Sequence, residues 1–251
     1  GPALHRARLD AGGDGLGDLH DRQVVLERVP DLLLHPHVLR EELGVVLSGD
    51  DQRVKRRVDA EHAGGPGQPG GIGGVHRGAE TTMDISADLT EMENTSVAVV
   101  SAGVKSILDI GLTLEYLETK GVPVITYGQD EFPSFYSSKS GFKSSLRLDT
   151  AKEIASMLDT KWRLGLNGSV LIANPVPAEF EIGTDEMELH IQKALTAAKE
   201  KNIIGKNVTP FLLKYIADHT QGESLEANIA LIKNNAKLGA AIAAAYTKQV
   251  L

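Results

Sequence analysis

Hydrophobic and polar positions along the second two-thirds of the chain alternate in blocks that read as strands and helices in turn. Val97 to Val100 is a short run of β-branched and small apolar residues, suited to a strand buried on both faces. Leu108, Leu112, Leu114 and Leu117 then recur at roughly helical spacing, and Gly121 ends that helix. Val122 to Thr126 resumes as a second strand, so the unit predicts βαβ with a parallel pair. Thr150 and Glu153 form a capping-box pattern that opens a helix running toward Trp162. Gly168 to Val176 predicts a buried strand ending at Asn174-Pro175. Thr184 to Lys201 predicts an amphipathic helix with Met187, Ile191, Ala194, Leu195 and Ala198 inward. Thr209-Pro210 reads as an N-cap and first-turn proline for a short helix to His219. Leu225 to Tyr246 is the most apolar helix, and its Asn228, Asn234 and Asn235 need polar partners if buried. Alternating elements of this kind predict an α/β fold with a mainly parallel sheet.

Between these blocks, Asp130 to Arg147 is rich in serine, glycine and aromatics, including Phe132, Phe135, Tyr136 and Phe142. It reads as an ordered loop lying over a site or between subunits, with core filling as the plainer alternative.

The first seventy residues have a different character. Residues 1–77 hold nine arginines and one lysine, whereas residues 78–251 hold two arginines and fourteen lysines. Six of the eight histidines fall in the first part, and Phe, Tyr and Trp are absent from it. A foreign or mistranslated segment explains this shift better than a specialised module, because one folded domain under one set of constraints does not partition its basic residues this way. Val24 to Val46 has enough leucine and valine for a helix interrupted by Pro30 and Pro36. His35, His37, His62 and His76 lack the acid or cysteine partners of a defined metal site. Gly1 in place of an initiating methionine reads as a partial or processed chain.

Composition narrows the function. A net charge of −8 disfavours nucleic acid as a partner and suits a soluble enzyme acting on small molecules. The chain has no cysteine, which excludes disulfides and thiolate metal sites. No apolar run approaches the roughly 20 residues of a membrane span.

Chemistry concentrates between Gly70 and Gly128, which places a glycine-rich turn, two aspartates and Lys105 around the predicted βαβ unit. Ligands bind at the carboxyl ends of strands in open α/β sheets, and Lys105 follows such a strand. A helix N-terminus and burial both disfavour an ammonium there, which would favour a nucleophilic amine. A solvated lysine is the plainer alternative. The glycine cluster fits either an ordinary turn or a nest of N–H groups for a phosphate. Asp84 and Asp88 fit either a ligand site or helix-start acids.

Four runs, GGIGGVHRGAE, TMDISADLTE, SVAVVSAGVKSILDIGLTLEYLET and SLEANIALIKNNAKLGAAIA, resemble the pseudouridine-5′-phosphate glycosidase family from about Gly70 to about Tyr246. The resemblance implies a three-layer α/β/α fold over residues 70–251, with residues 1–69 a non-homologous, irregular segment. It implies reversible cleavage of the C–C glycosidic bond of pseudouridine 5′-phosphate to uracil and ribose 5-phosphate, with a divalent cation, usually Mn2+, and a homotrimer. It assigns Lys105 to an imine with C1 of the opened ribose and Asp84 to the metal. It also assigns Ser86, Ala87 and Asp88 to substrate contact, His76 to the vicinity of the phosphate and Asn228 to the sugar and base. The family's N-terminal part carries a catalytic glutamate in an ALESTI-like strand, then a histidine–glycine turn and a further lysine. Nothing of that pattern occurs between Gly1 and Pro69, so no general acid is carried over. The alternatives are a non-catalytic sugar-phosphate-binding protein with a degenerate site, or another imine-forming sugar-phosphate lyase.

Overall fold

A computed structural model describes residues 46–48, 71–203 and 207–250. The readings made above for residues 1–45 and 49–70, including the Pro-interrupted helix and His35, His37 and His62, lie outside the described residues.

Five strands form the main sheet: β1 (Val46–Ser48), β3 (Val97–Ser101), β5 (Val124–Tyr127), β6 (Leu146–Leu148) and β7 (Val170–Ala173). Their order is β1-β3-β7-β5-β6; β3, β7, β5 and β6 run parallel, and β1 joins the β3 edge antiparallel. A separate antiparallel pair joins β2 (Val75–His76) to β4 (Leu108–Asp109). The helices are α1 (Ala79–Thr82), α2 (Ala87–Asn94), α3 (Ile110–Thr119), α4 (Ala151–Arg163), α5 (Thr184–Glu200), α6 (Val208–His219) and α7 (Glu223–Val250).

Strand alternation sends side chains into two cores. On one face, Val124, Leu171 and Ala173 pack with Leu89 and Met92 of α2, Leu117 of α3, Met187 and Ile191 of α5, and Leu212 and Ile216 of α6. On the other, Ala98, Val100, Ile125, Val170 and Ile172 pack with Ile154 and Leu158 of α4 and Leu238 and Ile242 of α7. The expected three-layer α/β/α arrangement therefore holds. The long helix α7 serves both cores, with Ala227 and Leu231 in the first and Leu238, Ile242 and Tyr246 in the second.

Several local expectations hold closely. Thr150 and Glu153 make the reciprocal capping box at the start of α4. Met187, Ile191, Ala194 and Ala198 are the buried residues of α5. Others need correction. The two strands of the predicted βαβ unit are not neighbours, because β7 lies between them and is parallel to both. All four residues of β7 are buried, which suits the central position. Leu108 is in β4 rather than the helix, and α3 begins at Ile110, where Asp109 Oδ1 accepts the Leu112 N–H at 2.9 Å. Leu112 then faces solvent, while Thr113 and Leu117 are buried. Helix α6 starts at Val208 after Asn207, so Thr209 is not its cap; Pro210 lies in the first turn, where a missing N–H costs nothing.

Candidate functional site

Over most of its length the glycine-rich stretch is not a loose turn. It is an extended segment, Gly71 to Arg77, threaded between three pieces of backbone, and most of it is buried. Ile72 bridges to Val104 in parallel fashion: Ile72 N–H donates to Gly103 O, and Lys105 N–H donates to Ile72 O, each at 3.1 Å. On its other side, Gly73 N–H donates to Asp88 Oδ2 at 2.8 Å, Ser86 N–H to Gly74 O at 3.0 Å, and His76 N–H to Asp84 O at 3.0 Å. Val75 N–H donates to Thr113 Oγ1 at 2.9 Å. The N–H groups of Ile72, Gly73, Val75 and His76 are thus all committed within the protein and cannot cradle an anion.

Close approach explains the glycines here. A Cβ on Gly73 would stand 2.2 Å from Ser86 Oγ and 2.6 Å from Asp88 Oδ2. On Gly74 it would meet Thr113 Oγ1 at 2.5 Å, and on Gly71 the Phe135 ring at 2.6 Å. The segment therefore gathers His76, Asp84, Ser86, Asp88 and Lys105 around itself, with Ala87 exposed between Ser86 and Asp88 at the start of α2.

Lys105 sits at the carboxyl end of the parallel strands, as expected, in the Ala102–Ile107 connection after β3. It is 4% exposed. The helix-dipole half of the expectation fails, because α3 begins five residues later and its first turn is capped by Asp109. Burial, not a helix end, sets this lysine apart. Its own carbonyl accepts the Leu108 N–H at 2.9 Å, so both sides of its backbone are fixed. Neighbouring Ser106 is buried, and its hydroxyl has no hydrogen-bond partner among the described residues.

Asp84 is more open, with a carboxylate 46% exposed and Oδ2 at 3.8 Å from His76 Nδ1. Among the described residues no three His, Cys, Asp or Glu side chains come together as a cage for a metal. What the described residues offer a cation here is one carboxylate, Asp84, an oxygen donor of the kind hard ions such as Mg2+ and Mn2+ accept.

Two pairings are not readable in the sequence, although it singles out Asn174 as a strand end and Asn234 and Asn235 as polar groups in search of partners. Arg77 makes a two-pronged pair with Glu188 of α5, Nη1 to Oε1 at 2.7 Å and Nη2 to Oε2 at 2.9 Å. Its Nη2 also reaches Ser106 O at 3.4 Å. The guanidinium holds the Glu188 carboxyl below the usual carboxylate range. Asn174, just beyond β7, donates to Asn235 Oδ1 at 3.0 Å, and Asn234 donates to Pro175 O at 3.0 Å. These contacts pin α7 to the same carboxyl edge. Asn228 is half-buried one heptad before Asn235, hence on much the same face of α7.

The aromatic loop is ordered and lies against the Lys105 connection. Phe135 N–H donates to Ala102 O at 3.1 Å, and Gly103 bridges to Ser134. Phe135 adopts a left-handed φ of 66°, strained for an aromatic residue, while its side chain is fully buried. Phe132 and Tyr136 are core residues as well, so the loop both fills the core and borders the site. Tyr136 bonds Ser224 at the start of α7, and burial raises its phenol far above the ordinary value.

Glu181 ties this loop down, accepting from Ser137 Oγ at 2.8 Å and from Ser138 N and Oγ at 2.9 Å. Burial pushes its carboxyl up, but these donors together outweigh it and leave the net shift downward. A depressed folded value means that the carboxylate stabilises the fold above its unfolded pKa, and that this is lost as pH falls through the folded one. Glu181→Gln is expected to lower the melting temperature near neutral pH, with the gap to wild type closing below about pH 4. Melting curves of both proteins across pH test this; a gap independent of pH would show that the carboxylate charge is not what holds the loop.

Residues 68–245 match the family described as Indigoidine synthase A like protein. The chain belongs to that family. Within it, the chain is 63% identical over 174 residues to the pseudouridine-5′-phosphate glycosidase of Geobacillus kaustophilus, covering 69% of this chain and 58% of the relative. It is 59% identical over 179 residues to the same-named protein of Deinococcus radiodurans, covering 71% of this chain and 57% of the relative. Two solved structures share the fold. The prealnumycin C-glycosynthase AlnA, in complex with ribulose 5-phosphate, superposes with a TM-score of 0.67 at 35% identity, over 72% of this chain and 60% of that one. An indigoidine synthase A-like protein from Thermotoga maritima gives 0.63 at 40% identity, over 71% and 57%. The chain thus spans less than two-thirds of the length of the Indigoidine synthase A like relatives it matches.

Proposed function

We propose that this chain cleaves the C–C glycosidic bond of pseudouridine 5′-phosphate reversibly, with Lys105 as nucleophile. The names of its relatives and the ribulose 5-phosphate complex of its structural neighbour support a sugar phosphate as substrate. The observation that carries the reading is the seven-residue segment from Gly71 to Arg77. Through it the backbone of a buried lysine is tied to Asp84, Ser86 and Asp88 by direct hydrogen bonds.

A carbon–carbon glycosidic bond has no heteroatom to protonate and expel, so an electron-pair donor has to be placed on the anomeric carbon to replace the bond that breaks. The Lys105 amine forms a bond to C1 as the C1–O4 ring bond breaks, and the proton that the nitrogen then sheds balances the one the ring oxygen takes up. The nitrogen lone pair then becomes the C1=N bond as the C1–C5 bond breaks, and its electrons leave on uracil. C5 of uracil takes up a proton from an acid, and water hydrolyses the imine to ribose 5-phosphate and free Lys105. Ser86, Ala87 and Asp88 contact the substrate in this reading, His76 lies toward its phosphate and Asn228 toward its sugar and base. Asp84 would hold Mn2+ or a similar divalent ion, which would supply positive charge for orienting the anionic substrate. The working assembly is a homotrimer in the cytoplasm.

Borohydride trapping with ribose 5-phosphate, followed by peptide mass spectrometry, tests the nucleophile apart from turnover. A reduced ribose adduct on Lys105 supports the reading. No adduct in a folded sample favours the non-catalytic sugar-phosphate-binding protein, which the chain's coverage of 58% of its relative keeps in view. Asn228→Ala is expected to weaken substrate binding or turnover about tenfold, on the scale of one lost polar contact in a site. Unchanged kinetics would remove Asn228 from it.

A further inference from the structure

We propose that Arg77 is a positioning residue which, clamped by Glu188, sets the reach of Lys105 by holding the next carbonyl along the chain. The inference rests on Lys105 as the imine-forming group. Lys105 N–H is fixed by Ile72 O at 3.1 Å, and Lys105 O by Leu108 N–H at 2.9 Å. The next carbonyl along the chain, Ser106 O, faces Arg77 Nη2 at 3.4 Å. Arg77 directly follows His76, which pairs with Leu108 in the β2–β4 ribbon, so the arginine springs from the strand that borders the Lys105 connection. Its orientation is set from outside the ribbon by Glu188 on α5, with contacts of 2.7 and 2.9 Å. Glu188 is steadied in turn by Gln192 Nε2 at 2.6 Å, one helical turn on.

An arginine beside a sugar-phosphate site invites a second role, direct capture of the phosphate. The geometry disfavours it. Both Nη atoms already face protein acceptors, and the Glu188 carboxylate, 44% exposed, neutralises the charge a phosphate would seek. A bidentate pair fixes the plane of the guanidinium, and a fixed plane suits a group that aims a neighbour. Misplacement of a reacting group by about 1 Å can cost two orders of magnitude in rate. The reach of Lys105 is accordingly a property of four residues, Arg77, Glu188, Ser106 and Ile72, as well as its own.

The test uses Arg77→Gln, Glu188→Gln and the double variant of the full chain, each checked for folding by its melting curve. Two readouts are taken: borohydride trapping of ribose 5-phosphate, and competitive acetylation of Lys105 by acetic anhydride, with exposed Lys152 as internal standard. Each single variant is expected to slow trapping at saturating sugar about tenfold, with half-saturation moved less than about twofold. The double variant should be no slower than the slower single one, because the pair acts as one unit. Acetylation of Lys105 relative to Lys152 should rise several-fold as the connection loosens. Arg77→Lys should recover only part of the trapping rate, since an ammonium cannot make the fork. The proposal is overturned if both readouts are unchanged in the single variants. It is equally overturned if Arg77→Gln raises half-saturation alone while Glu188→Gln does nothing, the signature of a phosphate contact. If wild type forms no adduct, the imine reading fails by itself, and the acetylation ratios still decide whether Arg77 and Glu188 govern the Lys105 connection.

Discussion

Lys105→Met is expected to abolish the borohydride-trapped adduct and to cut turnover by at least about a thousandfold, while the fold survives. Methionine matches the lysine stem in length and apolar volume, so the buried position, 4% exposed, remains filled. The loss would then be chemical, because without the amine no C=N bond can form and nothing supplies C1 with an electron pair as uracil departs with the old one. Peptide mass spectrometry after reduction reads the first effect, and uracil release with added Mn2+ reads the second. An adduct that persists in the variant on another lysine would move the nucleophile elsewhere. A variant that turns over normally would exclude the imine route altogether.

Gly73→Ala is expected to have the largest structural effect of any single methyl group in the site. Gly73 does not need a positive φ, so backbone freedom is not at stake. Space is. The new Cβ would stand 2.2 Å from Ser86 Oγ and 2.6 Å from both Ser86 Cβ and Asp88 Oδ2. Relief requires the segment to move off the start of α2, which breaks the 2.8 Å bond from Gly73 N–H to Asp88. Overpacking of this kind costs about 1–3 kcal/mol, and the lost bond to a carboxylate adds to it. Urea denaturation should show that loss, and trapping at Lys105 should fall with it. Gly183→Ala is the matched control, since none of the described residues lies within 4 Å of its added Cβ. That change should alter stability by less than about 1 kcal/mol. Equal effects at the two positions would mean that close approach at Gly73 is not what the site depends on.

How much of this the sequence disclosed follows the range of the interactions. The capping box of Thr150 and Glu153 spans three residues, and the buried stripe of Met187, Ile191, Ala194 and Ala198 repeats within one helix; both were legible as local patterns. The apolar runs of β3, β5 and β7 were legible too, but their order was not. A run such as Val170–Ala173 reveals that it is buried on both faces, and says nothing about which two strands flank it. Leu108 kept helical spacing with Leu112, yet pairing with His76 took it into a strand. Of the candidate site, the resemblance singled out Asp84, Ser86, Asp88 and Lys105, and the structure gathers them around one segment. Glycine composition could not separate a supple turn from a buried thread, because a missing Cβ serves both. The Arg77–Glu188 pair joins residues 111 apart and leaves no local trace.

The threaded segment also has a consequence for motion. Its backbone bonds run to the Lys105 connection on one flank, to the start of α2 on the other, and to α3 through Thr113. The bonds to the three partners alternate along only five residues, so lifting the segment as a whole breaks them in one event. Breathing that exposes the Lys105 backbone thereby disperses the carboxylates in the same event. The lysine and the acids would be lost together and regained together, and the protein would hold no half-formed site in which a reactive amine stands without its neighbours.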